Sequence, residues 1–80
     1  MFLEVIDAHY IDEYKMLLSF NNGQKRIFDF LPVINRYPVF HCLNDLNLFK
    51  SFSITDTLEW KNGAIDIAPE YLFENGIKSN

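Results

Sequence analysis

Eighty residues, 49% hydrophobic and 16% aromatic, describe one small folded domain over 1–80, not a disordered or fibrous chain. Three Gly, three Pro and one Cys exclude collagen-like sequence, linker sequence and a disulfide scaffold. The net charge is −4, and seven Lys and Arg are scattered among eleven Asp and Glu, which speaks against nonspecific nucleic-acid binding.

Residues 2–10 read as a first strand. Leu3, Val5, Asp7 and His9 fall on one face, and Phe2, Ile6 and Tyr10 on the other. The imperfect alternation predicts a bulge or an edge position. Asp12-Glu13 marks a turn. Residues 14–20 alternate cleanly, with Tyr14, Met16, Leu18 and Phe20 on one face. Asn22-Gly23 suits a tight hairpin turn, and 24–30 return as its partner, with Arg26, Phe28 and Phe30 on one face.

Between 31 and 43 the pattern dissolves. Pro32 and Pro38 exclude a central strand or a long helix, so Val39 to Leu43 is expected as an ordered loop or short strand. Asn44 or Asp45 is placed to cap a helical turn carrying Leu46 and Phe49 on one face. Phe52 and Ile54 open a strand around 51–56, continued by Leu58 and Trp60 after a turn at Asp56-Thr57. Asn62-Gly63 is a second turn, followed by a strand from Ala64 to Ile67. Pro69 suits the first helical position and Glu70 the first turn, with the helix ending near Asn75 and Gly76 at its C′ position.

The expected fold class is therefore α+β: a small antiparallel sheet built on hairpins, with a short central helical turn and a short C-terminal helix. Leu3, Val5, Met16, Leu18, Ile54, Leu58, Trp60 and Leu72 are expected in its core. A chain of this length exposes roughly 5,000 Å² when folded, while each aromatic tends to bury about 150–250 Å². The aromatics left over after the strand and helix faces are filled are Tyr37, Phe40 and Phe73, which form the candidate protein interface.

The inventory for catalysis is thin. Nucleophile candidates are Cys42 and the serines at 19, 51, 53 and 79, and the candidate bases are His9 and His41. His41 and Cys42 point apart in an extended segment, and Cys42 reads as a small buried core residue. Positions 9, 41 and 42 supply fewer ligands than the four a structural zinc site needs. Asp12 and Glu13 read as turn residues, and Asp66 with Glu70 as carboxylates flanking a helix start. Phosphate loops, nucleophile elbows and dinucleotide fingerprints are missing. Accordingly no catalytic residue, metal or cofactor is expected. No apolar run reaches the ~20 residues that cross a bilayer. Glu4 and Asp7 do not suit a signal peptide, and a single Cys fits a reducing compartment, so the cytoplasm is expected and a membrane partner is not.

The run from Leu58 to Leu72 resembles the signature of a bacterial family, domain of unknown function 2442. Its pattern is a Trp, a Gly turn, then Asp-hydrophobic-x-Pro-acidic with a Leu beyond. Here these are Trp60, Gly63, Asp66, Pro69 and Leu72. Tyr14 to Gly23 is similar to the family's strand and turn, and Phe30 to Pro32, Phe40, Leu43, Asp45 and Phe49 to its middle segments. Ala64 and Ile65 both separate Gly63 from Asp66, where the pattern has one residue, and a bulge is expected to absorb the extra one.

The resemblance implies a small α+β fold and no established activity, with the motif residues structural. Some similar proteins carry an added helix-turn-helix domain, which is not expected in a chain ending at Asn80. Others look like the partner of a small toxin-like protein encoded next door. The leading expectation is a non-enzymatic module that binds a protein partner, or itself as a homodimer, through an aromatic and sheet-edge surface. The alternative is an accessory transcriptional or nucleic-acid-associated regulator using Lys25, Arg26 and Arg36. A small enzyme using His9, His41 or a carboxylate ranks third.

Overall fold

The first thirty residues wind into an antiparallel meander, as their alternation demands. The computed structural model describes residues 2–79, with β1 at Val5–Asp12, β2 at Lys15–Phe20 and β3 at Lys25–Asp29. β2 and β3 pair without a break, Leu17 opposite Ile27 and Met16 opposite Phe28. β1 is an edge strand, and its register against β2 slips between Val5 and Asp7 and again between Tyr10 and Asp12. The bulge and the edge position are thus both present. The slip also corrects the face assignment. Val5 and Ala8 are buried and Tyr10 half-buried against the core, while Ile6, Asp7 and His9 lie outside.

The Pro-bounded segment is helical, not a loop or strand. α1 spans Leu31–Arg36, and a 3₁₀ segment spans Pro38–Asn44. Each proline lies in a first turn, where its missing N–H breaks no hydrogen bond and its fixed φ helps the turn start. Asp29 Oδ1 accepts the Leu31 N–H at 3.0 Å, and Val33 and Ile34 are buried beneath. α2 follows at Leu46–Lys50, with Phe49 buried and Leu46 exposed.

Asp45 caps α2, its Oδ1 accepting the Asn47 N–H at 3.0 Å. In a five-residue helix that bond satisfies a large share of the free N–H groups. Asp45→Ala should lower unfolding free energy by about 1 kcal/mol in a urea titration, whereas Asp45→Ser should retain most of it.

A second, three-stranded sheet consists of β4 (Ser53–Ile54), β5 (Leu58–Trp60) and β6 (Ile65–Asp66). α3 then runs Pro69–Asn75, and β7, Ile77–Ser79, adds to the free edge of β3. The first sheet is therefore ordered β1-β2-β3-β7. The return strand β7 goes beyond the elements expected from sequence.

It depends on Gly76. The backbone there is extended, at φ −79° and ψ 163°, not the left-handed cap expected from its place after Asn75. The glycine is required by proximity instead, because a Cβ would stand 2.8 Å from Arg26 Cβ and 2.8 Å from the Leu72 carbonyl oxygen.

Helices, 3₁₀ segment and second sheet enclose one core. Phe30, Phe49 and Trp60 fill its centre, with Val5, Met16, Leu18, Leu58 and Leu72 around them. Leu3 and Ile54 pack half-buried at its margin. The accessible surface is 4919 Å², close to what the chain length alone implies. The aromatic surplus is thus largely absorbed by ring-on-ring packing.

Candidate protein interface

Tyr37 and Phe40 stand three residues apart across the start of the 3₁₀ segment. Side chains at that spacing nearly eclipse in a 3₁₀ helix, so both rings emerge on one side. They meet edge to face with centroids 6.3 Å apart. The Arg36 guanidinium lies 5.5 Å over the Tyr37 ring. Facing them are Ile67 and Ala68, at the joint of β6 and α3, and Tyr71 in α3. Thr57 Oγ1 donates to the Ile67 carbonyl at 2.5 Å and fixes this joint to the second sheet.

The result is an open groove of 350 Å³ lined by Tyr37, Val39, Phe40, Ile67 and Tyr71, with Asp66 at its rim. Val39 is 59% exposed, Tyr37 39% and Tyr71 38%. Phe40 is half-buried and Ile67 buried, so the groove has an apolar floor and exposed apolar walls.

Phe73 does not join this group. It lies two residues beyond Tyr71, about 200° around the helix. Its ring meets Phe20 at 5.2 Å, and the Arg26 guanidinium lies 4.0 Å over its face. Arg26 Nε also donates to the Phe73 carbonyl at 3.2 Å. These contacts pin α3 to β3 and engage Arg26 within the fold. Lys25, on the same strand, is exposed, and Arg36 lies in the last turn of α1.

Cys42 is exposed, which corrects its assignment to the core. The tight 3₁₀ turn buries Leu43 and leaves His41 and Cys42 outside. His41 Nε2 lies 3.4 Å from the Asn35 carbonyl, and His9 Nε2 2.9 Å from Asp7 Oδ2 on the exposed edge strand. Ser51 Oγ donates to the Leu48 carbonyl at the end of α2, and Ser53 Oγ to Glu59. Asp12 and Glu13 are exposed at the β1–β2 turn, and Glu70 is exposed in the first turn of α3. Among the described residues no group of three or more His, Cys, Asp or Glu is placed to hold a metal ion.

The motif residues divide by role. Trp60 and Leu72 are fully buried, and Pro69 opens α3. Gly63 has φ +88°, following Lys61 at 54° and Asn62 at 55°, so the turn runs through three left-handed residues in succession. The pairs Glu59–Asp66 and Trp60–Ile65 keep a regular register. The extra residue before Asp66 is therefore absorbed in the turn, not in a bulge. Asp66 is the one motif residue that borders the groove.

A family model described as Protein of unknown function (DUF2442) matches residues 5–78. The chain belongs to this family. No curated protein and no solved structure shows a match. In this DUF2442 chain the match extends from the first strand into the last and takes in Ile77 and Lys78 of β7. Among the described residues no helix is long and apolar enough to cross a membrane.

Proposed function

We propose that this domain is a non-enzymatic protein-interaction module whose groove between the 3₁₀ segment and α3 takes an apolar, basic segment of a partner protein. The observation that carries the reading is the exposed apolar wall of Tyr37, Val39 and Tyr71 over the Ile67 floor. Aromatic residues on a rigid frame supply contact area at small entropic cost and are enriched at interface cores.

The charge around the groove is net acidic, with the Arg36 guanidinium over Tyr37 as the opposing cation. Asp66 borders the groove, Glu70 and Glu74 are exposed on α3, and the chain as a whole carries −4. A Lys or Arg beside the partner's apolar anchors would complement this charge and speed encounter. In the gene-pair reading that the family resemblance suggests, the partner is a small toxin-like protein and this chain its antitoxin-like component.

Tyr71→Glu and Val39→Glu test the proposal in proteins copurified from the native host. Val39 is 59% exposed, so its variant should keep the wild-type melting temperature. Tyr71 is 38% exposed and its ring packs 6.0 Å from buried Phe28, so its variant should melt somewhat lower and is compared at a temperature where both are folded. Partner affinity should fall at least about ten-fold, equivalent to ~1.4 kcal/mol. Undiminished partner recovery with both variants would overturn the proposal.

A further inference from the structure

The first sheet has a second face, turned away from the core, where every residue is exposed or half-buried. The strand register sorts this face into three rows. The middle row crosses all four strands as His9, Leu17, Ile27 and Ile77. Three of its members are aliphatic, and Ile77 is 72% exposed. One flanking row runs Asp7, Ser19, Lys25 and Ser79, and the other Asp12, Lys15 and Asp29. The bulges on β1 add exposed Ile6 beside Asp7 and exposed Ile11 beside Asp12.

This arrangement is complementary to itself along the apolar row and on β3. Lys25 and Asp29 stand two residues before and two after Ile27 on one strand, both on the outer face. A two-fold axis laid along the apolar row reverses the strand direction of a second copy and leaves the row in place. It sets Lys25 of each copy over Asp29 of the other, and Ile6 over Ile11. It also sets Asp7 over Asp12, a like-charge contact that Lys15, paired with Asp12 on the adjacent strand, partly offsets. Leu17, Ile27 and Ile77 then meet their own counterparts.

The strands of the two copies stay nearly aligned, as packed sheets prefer, at a spacing of about 10 Å. Among the described residues Lys25 and Asp29 form no ion pair within one chain. Asp29 Oδ1 accepts the Leu31 N–H, which leaves its second oxygen for a cation.

We propose that this open face is an isologous interface with a second copy of the chain, built on the Leu17-Ile27-Ile77 row and closed by two symmetric Lys25–Asp29 ion pairs. It uses a surface separate from the groove and holds whether or not the groove binds a partner.

Sedimentation equilibrium on the full chain tests it. The wild type should pass from monomer to dimer as concentration rises, and Ile77→Glu should shift the population to monomer while melting where the dilute, monomeric wild type melts. Lys25→Glu alone and Asp29→Lys alone each set like charges opposite one another, and each should weaken self-association about ten-fold. An equimolar mixture of the two restores both ion pairs, so native mass spectrometry should find the mixed dimer dominant. Val39→Glu should leave dimerisation intact, which separates this surface from the groove. A wild type that stays monomeric at every concentration would overturn the proposal. So would a dimer untouched by Ile77→Glu, or folded charge variants that fail to pair on mixing. If Asp29→Lys does not fold once its bond to Leu31 is lost, the Ile77→Glu comparison decides.

Discussion

Trp60→Ala is expected to remove ~3–5 kcal/mol of stability, the range seen when a large aromatic is cut from a packed core. A domain of this length has roughly 4–12 kcal/mol in all, so the variant should be largely or wholly unfolded at room temperature. Trp60 is 1% exposed. Its ring stacks on Phe49 at 6.0 Å with planes 22° apart, and meets Phe30 edge-on at 5.9 Å. Its Nε1–H donates to the Phe49 carbonyl at 2.8 Å in a buried site. One side chain thus joins the second sheet to α2 and to the start of α1.

Trp60→Phe separates the two contributions. It keeps an aromatic ring and loses the N–H, so it should cost less than Ala while still leaving the Phe49 carbonyl without its partner, at ~1–3 kcal/mol. Trp60 is the sole tryptophan, so far-UV circular dichroism under urea is the readout. A loss below about 1 kcal/mol for Trp60→Ala would contradict this packing.

The second large effect is Gly76→Ala, expected to cost about 2 kcal/mol through overpacking. The added methyl would meet Arg26 Cβ and the Leu72 carbonyl oxygen, both at 2.8 Å. Neither is the loose end of a side chain. Arg26 is held by the Phe73 ring and carbonyl, and the Leu72 carbonyl accepts the Gly76 N–H at 3.0 Å. The strain must therefore open the junction of α3, β3 and β7. Amide exchange at Ile77 and Lys78 should accelerate while the β2–β3 ladder keeps its protection. A wild-type melt together with unchanged exchange at Ile77 would contradict the docking of β7.

The β2–β3 hairpin was legible because two independent signals agree. Alternation set the faces, and Asn22-Gly23 set the turn. The cap at Asp45 and the start of α3 at Pro69 were legible for the same kind of reason, since each is a local device with a local signature. β7 was not. Ile77-Lys78-Ser79 is too short to carry a pattern, and its pairing with β3 comes from the close approach at Gly76, a tertiary fact.

The prolines misled in the other direction. Pro32 and Pro38 read as breakers, yet each starts a helical turn, and proline serves both roles with the same fixed φ. Cys42 was misplaced for a related reason. An apolar run treated as extended buries alternate residues, whereas a 3₁₀ turn buries one in three.

The candidate site was half legible. Tyr37 and Phe40 stood out as aromatics that no strand or helix face claimed, and the 3₁₀ turn brings them together. Tyr71 and Phe73 could not be told apart in sequence. The docking of α3 on the first sheet, through Arg26 and Phe20 against Phe73 and Phe28 against Tyr71, turns Phe73 inward and sets Tyr71 beside the groove. The open sheet face left a trace, in that Leu17 and Ile27 are apolar at positions whose neighbours on the same face are charged or polar. That three apolar positions, Leu17, Ile27 and Ile77, fall in one row across the sheet with His9 follows from register, which includes β7 and the slip in β1.

The claim that this domain works by binding a protein through its groove is tested most directly by a photo-cross-linking residue placed at Tyr71 in the native host. The account predicts one discrete adduct with a different protein, lost when Asp66→Arg reverses the charge at the rim. The absence of any adduct, or an adduct unaffected by Asp66→Arg, would contradict it.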